Sequence, residues 1–370
     1  MKFTCEKYVL ENLVSSAGRA AALKSPNAVL TGILLTGEVT LTATGYDLKK
    51  AIITTSDEVD VLQTGNTVVD ARMMNDIVHR LPDGIVTFES DDKFQIHITC
   101  GNAEFNISGM DPDEYPELPV TESRVSITLK QSTLANMIHA TSFAISDNET
   151  RPIYTGALFT YDGDRMTVVT VDGFRLAVRK EPIESSDMET CKFIVPGEAL
   201  LEVEKMCTGE GNVSISFDKK HITFNIGSKL LITRRLEGDF LNYRKSVPET
   251  FPVTLTFNRA EMARAVERVG LMINEKNKLP LRCTFENGMM NMFVRTPAGH
   301  AEDKCFYTGE AKDFLIGFNH TYLLQALKAI EDETITMNLS SSINPCILLP
   351  ADGSDRFLYM ILPVRLKNGE

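Results

Sequence analysis

Most of the signatures by which enzymes and membrane proteins declare themselves are missing from these 370 residues. No run approaches the roughly 20 apolar residues that a bilayer-spanning helix requires. The opening MKFTCEKYVLENLVSSAGRAAAL carries Lys2 near its front, but Glu6, Lys7, Glu11 and Asn12 break any apolar stretch, so no secretory signal is expected. Cysteine is sparse and unpatterned. Cys5, Cys100, Cys191, Cys207, Cys283, Cys305 and Cys346 are odd in number, widely spaced and never in a C-x-x-C, which reads as reduced, packed thiols of a cytoplasmic protein. His79, His97, His139, His221, His300 and His320 stand far apart, and none has a second His or Cys at ligand spacing, so no metal is expected. There is no G-x-x-x-x-G-K-[ST], H-E-x-x-H, G-x-S-x-G or G-x-G-x-x-G, and the acid pairs Asp91-Asp92 and Asp111/Asp113 fall in expected turns. No catalytic residue and no cofactor emerge. Positive charge is short as well: 38 Lys and Arg face 50 Asp and Glu, a net −12. That balance opposes a tight grip on phosphates, though not an acidic shell with one locally basic face.

What is present is an ordinary globular balance, 43% hydrophobic and 24% charged, long enough for two or three domains. A pattern recurs along it. Leu10, Leu13, Val14 and Ala17 mark one face of a helix; Leu134, Met137 and Ile138, with Thr141 as a weaker fourth, mark another; Met262, Val266, Val269 and Ile273 mark a third. Each is followed by a hairpin. Gly32–Leu35 leads to LTATGYDL, Gly156–Phe159 leads to MTVVTVDGFRL, and PLRCTFENGMMNMFVRT turns at Asn287-Gly288. A second helix comes next, with Met74, Ile77, Val78 and Leu81, then Leu200, Val203 and Cys207, then Leu323, Leu327 and Ile330 on its apolar face. Alternating strands close each copy: Val86/Phe88 with Phe94/Ile96/Ile98, Val213/Ile215 with Ile222/Phe224/Ile226, and Ile335/Met337/Leu339 with Ile347/Leu349.

The expected fold is therefore α+β, with three repeated modules over residues 1–121, 122–249 and 250–370, each carrying two helices on antiparallel sheets. The acidic, Pro-rich stretch 111–119 and its counterpart 238–248 should be extended, exposed connectors. The helices carry scattered cations: Arg72 and Arg80 beside His79, Lys205, Lys328, and Arg264 with Arg268 at i and i+4. Singly these are solvated faces. Gathered around one cavity they would form a loosely basic wall that touches phosphates without reading bases.

Thr150-Arg151-Pro152-Ile153-Tyr154-Thr155-Gly156, Val169 to Ala177 with its D-G-x-R-L, Phe240 to Lys245 followed by Val247-Pro248, and the ending Leu362-Pro363-Val364-Arg365-Leu366 together resemble the bacterial sliding clamps, the beta subunits of DNA polymerase III. The likeness runs over essentially the whole chain. It implies a head-to-tail homodimer whose six modules close a ring around double-stranded DNA, helices inside, with no chemistry of its own. It also implies loading by an ATP-driven clamp loader. Partners would be DNA polymerase III alpha, other polymerases, and mismatch-repair and ligase-type proteins, each docking a short linear motif.

Carried over by motif, the peptide groove comprises Tyr154, Val171, Gly173, Phe174, Arg175, Leu176, Leu241, Lys245, Cys346, Met360, Leu362, Pro363, Val364 and Arg365. The same apolar residues could instead simply pack a junction between modules. Phe105 and Ile107 match one side of the dimer seam, and Leu271 and Met272 the other; Lys24 and Asn148 match loop positions near DNA. The chain departs from the family's common pattern at Val171 (often Thr), Leu241 (Pro), Lys245 (Arg) and Asn344-Pro345-Cys346, and it runs on through Lys367-Asn368-Gly369-Glu370, changes that bear on peptide preference. Two other classes remain open from the residues alone: an enzyme with its site between repeats, and an interaction scaffold that does not encircle nucleic acid.

Overall fold

The computed structural model describes residues 1–120, 126–183, 190–248, 250–274, 279–311 and 314–366. In the first third of the chain the order is β1 (Lys2–Glu6), α1 (Lys7–Gly18), β2 (Gly32–Gly37), β3 (Leu41–Tyr46), β4 (Lys50–Ser56), β5 (Val59–Gln63), β6 (Gly65–Asp70), α2 (Ala71–Arg80), β7 (Ile85–Ser90), β8 (Gln95–Cys100) and β9 (Ala103–Ser108). The middle third gives β10 (Ser126–Lys130), α3 (Gln131–Ser142), β11 (Gly156–Tyr161), β12 (Arg165–Val171), β13 (Arg175–Pro182), β14 (Cys191–Pro196), α4 (Gly197–Met206), β15 (Asn212–Phe217), β16 (His221–Ile226) and β17 (Lys229–Arg234). The last third gives β18 (Val253–Asn258), α5 (Arg259–Gly270), β19 (Leu281–Glu286), β20 (Met289–Thr296), β21 (Gly299–Gly309), β22 (Leu315–Phe318), α6 (His320–Ala329), β23 (Thr334–Leu339), β24 (Cys346–Pro350) and β25 (Phe357–Ile361). One rhythm repeats: strand, helix, four or five strands, helix, three strands.

Local chemistry starts and stops these elements. Asp70, Asn258 and Asn319 precede α2, α5 and α6, and each side chain accepts from a backbone N–H of the first turn, at 2.7 Å, 3.0 Å and 3.0 Å. Asn287 and Gly288 both take positive φ (52° and 74°), the conformation that a two-residue hairpin between β19 and β20 demands. The faces marked by periodicity are buried, Thr141 included, whose hydroxyl donates to Met137 O at 2.8 Å. Five expected positions fall just outside their elements, Leu81 and Ile330 as the residues that directly follow α2 and α6. Ile273 lies beyond the end of α5, Cys207 beyond α4, and Phe94 sits in the turn before β8 with φ 58°.

The chain divides into two compact units. The first, mainly Met1–Ala135 with Glu198–Arg235, holds a 5-stranded sheet (β5-β1-β7-β8-β9) and an 8-stranded sheet (β10-β15-β16-β17-β4-β3-β2-β6). Its core joins Leu10, Leu13 and Val14 of α1 to Met74 and Val78 of α2, with Phe3 and Phe88 stacked at 4.8 Å. Helix α1 lies so close on β3 that a Cβ at Gly45 would sit 1.9 Å from Ala17 O, so only glycine fits there. The second unit, mainly Asn136–Ser185 and Leu236–Glu370, holds a 12-stranded sheet (β14-β11-β12-β13-β25-β24-β23-β18-β21-β20-β19-β22). Met262, Val266, Leu323 and Leu327 of α5 and α6 pack there against Phe257, Phe285 and Tyr359.

Two antiparallel ladders carry the sheets across the repeat. β4 pairs with β17, from Thr54↔Lys229 to Lys50↔Thr233, and β13 pairs with β25, from Arg175↔Ile361 to Arg179↔Phe357. The connectors are less open than their composition predicts. Residues Pro112–Glu114 and Tyr243–Ser246 form 3-10 turns, and Tyr115, Leu118, Tyr243 and Val247 pack against buried clusters. Among the described residues no helix is long and apolar enough to cross a membrane.

Candidate functional site

At the β13–β25 ladder the registers line up an apolar row. Val171 faces Leu176, Leu176 faces Met360, and Met360 faces Ile347, so four hydrogen-bonded strands present one side chain each to the same face. Val169, Val178 and Leu358 extend the floor, and Tyr154, Phe240, Tyr243 and Val247 wall it, with the Tyr154 ring edge-on to Phe240 at 5.5 Å. The 240–247 segment turns Phe240, Tyr243 and Val247 inward. Leu241 and Lys245, the positions taken from the motif, point outward and are exposed.

Beside this floor runs the turn Asp172-Gly173-Phe174-Arg175. Asp172 Oδ1 accepts from the backbone N–H groups of Phe174 and Arg175 (2.9 and 3.0 Å), and its Oδ2 accepts from Arg175 Nε at 2.7 Å. Gly173 has φ 95° with open space where a Cβ would stand, so conformation rather than crowding selects glycine. The Arg175 guanidinium is held on its other sides by Gln325 Oε1, by the Tyr322 ring at 4.3 Å and by Phe143 at 5.4 Å. Phe174 remains 60% exposed, its ring 6.3 Å from Tyr322. The tail then folds over: Leu362 N donates to Phe174 O and Val364 N to Gly317 O, both at 2.8 Å, leaving Leu362, Pro363 and Val364 half-buried and Arg365 exposed.

Cys346 does not belong to this surface. It pairs with Ile361 in the ladder, one residue out of phase with Ile347, and alternation therefore sends it to the opposite face among Cys283, Leu348 and Tyr359. Its thiol is fully buried, and burial pushes its pKa far up, so it is an unreactive core thiol. The same phase shift turns Ile347 and Leu349 toward the apolar floor rather than the α5–α6 core. Tyr322, Gln325 and Phe143 join the site with no motif to mark them, and Ile347, expected as a strand residue, joins its floor. Phe240, Tyr243 and Val247 belong to the 240–248 motif, and their spacing at i, i+3 and i+7 is the signal that sets them apart from Leu241 and Lys245.

In the first unit, Phe105 and Ile107 lie half-buried on β9, which among the described residues pairs only with β8 and leaves its other edge open. Phe105 lines a cavity of about 450 Å³ with Met73 and Ile77 of α2, rimmed by Asp70, Arg72, Asp76 and Arg80. Arg72 and Arg80 thus stand beside Phe105 of β9. In the second unit Leu271, just past α5, is 81% exposed and Met272 half-buried. Among the described residues, 299–306 of β21 pair with β20 and 307–309 with β18.

Most of the expected cations are locally neutralised. Arg80 pairs with Asp76 (2.8 Å), Lys205 with Glu202 (3.0 Å), Arg268 with Asp303 (2.5 Å) and Lys328 with Glu267 (2.7 Å). Lys24, Arg72 and Arg264 are exposed without an ion pair among the described residues, and Asn148 closes its own turn by accepting from Thr150 N at 3.0 Å. Among the described residues no group of three or more His, Cys, Asp or Glu is arranged to hold a metal ion.

Comparison with known proteins agrees along the full length. The N-terminal, central and C-terminal domain models of the DNA polymerase III beta subunit match residues 1–119, 128–242 and 244–365. Beta sliding clamps of Staphylococcus epidermidis and Staphylococcus aureus are each 30% identical over 376 residues, covering 99% of this chain and 99% of theirs. The DNA polymerase sliding clamp of Bacillus subtilis superposes with a TM-score of 0.92 at 27% identity, and the DNA polymerase III beta subunit of Thermotoga maritima with 0.91 at 26%, each over 99% of this chain and 100% of theirs. With the same three domains in the same order and no part of the repeat left over, the chain belongs to the DNA polymerase III beta subunit family, the beta sliding clamps.

Proposed function

We propose that two copies of this chain close head to tail into a six-module ring around double-stranded DNA and tether the replicative polymerase to it. The family's role is that of a processivity subunit without catalysis of its own. The modules of the proposed ring span residues 1–121, 122–249 and 250–370. The observation that carries the closure is a knob and a hole: exposed Leu271 on one side, and the cavity bordered by Phe105, Met73 and Ile77 on the other. The open edges of β9 and of 299–306 on β21 supply backbone donors and acceptors that a second copy would pair. Such a contact is heterologous and closes because the rotation returns after two copies.

The row Val171–Leu176–Met360–Ile347, with Phe174, Arg175, Leu362, Pro363, Val364 and Arg365 beside it, is the docking groove in this reading. It takes the short Leu- or Phe-anchored motifs of DNA polymerase III alpha, other polymerases, the clamp loader, and mismatch-repair and ligase-type proteins. The setting is cytoplasmic, in keeping with seven free thiols. Retention on nicked circular DNA, with clamp loader and ATP, tests the ring. The protein should stay on circles and be lost once they are linearised; equal retention on both forms, or none on either with a proven loader, overturns the encircling ring.

A further inference from the structure

The β4–β17 ladder repeats the frame of the groove with different side chains. Asp47 Oδ1 accepts from the backbone N–H groups of Lys49 and Lys50, and its Oδ2 from Lys50 Nζ at 2.9 Å, as Asp172 serves Phe174 and Arg175. Arg234 N donates to Lys49 O at 3.1 Å, where Leu362 N donates to Phe174 O. At the two positions where the groove displays Phe174 and Leu362, this ladder displays Lys49 and Arg234.

The consequence is a row of donors whose positive charge comes from Lys49 and Arg234. Arg234 faces His221 in the β16–β17 register and meets Lys49, the residue just before β4, so the three lie next to one another across the ladder. Lys219 and Lys220 occupy the turn leading into β16, and Arg235 N donates to Lys220 O at 2.9 Å. Lys49, Lys219, Lys220 and Arg234 are exposed, and none has a carboxylate within ion-pair distance among the described residues. The neighbouring acids are already engaged. Asp47 holds Lys50, and Asp218 Oδ1 accepts from Lys220 N and His221 N, both at 2.7 Å. Arg235 Nη1 donates to Asp218 O, while its buried Nε has no partner among the described residues.

Like charges opposed across strands oppose folding, and this chain carries −12 overall with acids to spare. Lys205, Arg268 and Lys328 are matched with acids, yet this row is not. We infer that the row Lys49–Arg234–His221, with Lys219 and Lys220, is a phosphate-contact site for the backbone of DNA, separate from the helix cations. The chemistry favours a nucleic-acid backbone over an acidic peptide. The nearby apolar cluster (Leu30, Tyr46, Ala51) is already packed by Tyr115 and Leu118 and so offers little to anchor a peptide. None of its four exposed residues is aromatic, so it would hold backbone rather than stack bases.

This inference rests on the DNA-bound reading of the protein, and the experiment separates the two. The full-length protein is titrated against a labelled primed duplex between about 50 and 200 mM salt, and against a Glu-rich peptide of similar charge. Replacing Lys49, Lys219, Lys220 and Arg234 together by Ser should weaken DNA binding by roughly tenfold at low salt. It should also flatten the log–log salt slope by about 0.9 for each phosphate that is no longer neutralised. Lys49→Arg with Arg234→Lys should keep both values, and circular dichroism with binding of a Leu/Phe-anchored groove peptide should be unchanged in every variant. Unchanged DNA affinity and slope in the Ser variant, weakening confined to the Glu-rich peptide, or equal weakening in the charge-preserving variant each overturns the site. So does a wild-type protein that shows no direct DNA binding; the ring reading is then judged separately by retention on circles.

Discussion

The two ladders, β13–β25 and β4–β17, are built to one plan and carry opposite chemistry. Each begins with an aspartate that caps a tight turn and grips the cation three residues on. Each turn places its second residue at positive φ, 95° at Gly173 and 70° at Leu48. Each receives an N–H from the end of the paired strand, Leu362 just past β25 and Arg234 the last residue of β17. Beyond that frame they part. Leu176 continues a broad apolar row, whereas its counterpart Ala51 sits in a small cluster sealed by Tyr115 and Leu118. The backbone ladder sets where a surface forms; a few side chains decide whether it is an open apolar floor or a closed, cationic one.

The sharpest way to break this comparison is to remove the cation from each turn. Arg175→Ala leaves Asp172, whose side chain is 11% exposed, without its partner and empties the space between Tyr322 and Phe143. Urea denaturation should show a loss of about 3–5 kcal/mol. Lys50→Ala removes the Asp47 contact and a longer one to Glu198 at 3.9 Å and should cost about 1 kcal/mol, so equal losses would mean that the Arg175 setting adds nothing. Next in size are the left-handed positions. Gly173→Ala should destabilise by about 1 kcal/mol, and Leu48→Gly should stabilise slightly or be neutral, read as opposite shifts of thermal midpoint.

Smaller again is Gln325→Ala. It frees one side of the Arg175 guanidinium and should lower groove-peptide affinity by roughly two- to fivefold while leaving the midpoint nearly unmoved, about 0.5–1 kcal/mol for one hydrogen bond. The smallest expected effect is pH-dependent. Lys180 holds the Asp355 carboxyl below its usual range, and Ser354 with Arg356 holds Asp352 down at about 2. Because these folded-state values are depressed, their contribution is present above the ordinary carboxylate range and is lost as pH falls from about 4 toward 2. The stability difference between wild type and Asp355→Asn should therefore be measurable at pH 7 and shrink toward pH 2.

The helices and the triple repeat were legible because their signal is local: Leu10, Leu13, Val14 and Ala17 speak for α1 without help from elsewhere. Many of the strands were not, since short polar stretches such as Val59–Gln63 become strands only by pairing with β1. The groove was legible at Asp172 to Leu176, where the D-G-x-R-L stretch carries the family resemblance. It failed at Cys346, because strand phase turns on a single residue and nothing local reveals it. The cationic row was invisible to a linear reading, as Lys49 and Arg234 meet only through the ladder.

The register across β12, β13, β25 and β24 also has a mechanical consequence. A partner gripping Val171, Leu176, Met360 and Ile347 pulls on four strands at once, two from the middle of the chain and two from its end. Load directed along those strands must slide whole ladders past one another rather than unzip them bond by bond, and Leu362 stitches the final strand back to Phe174. A tether anchored this way shares its tension among many parallel bonds, the arrangement a towing point needs if what it tows is to be jerked repeatedly without tearing loose.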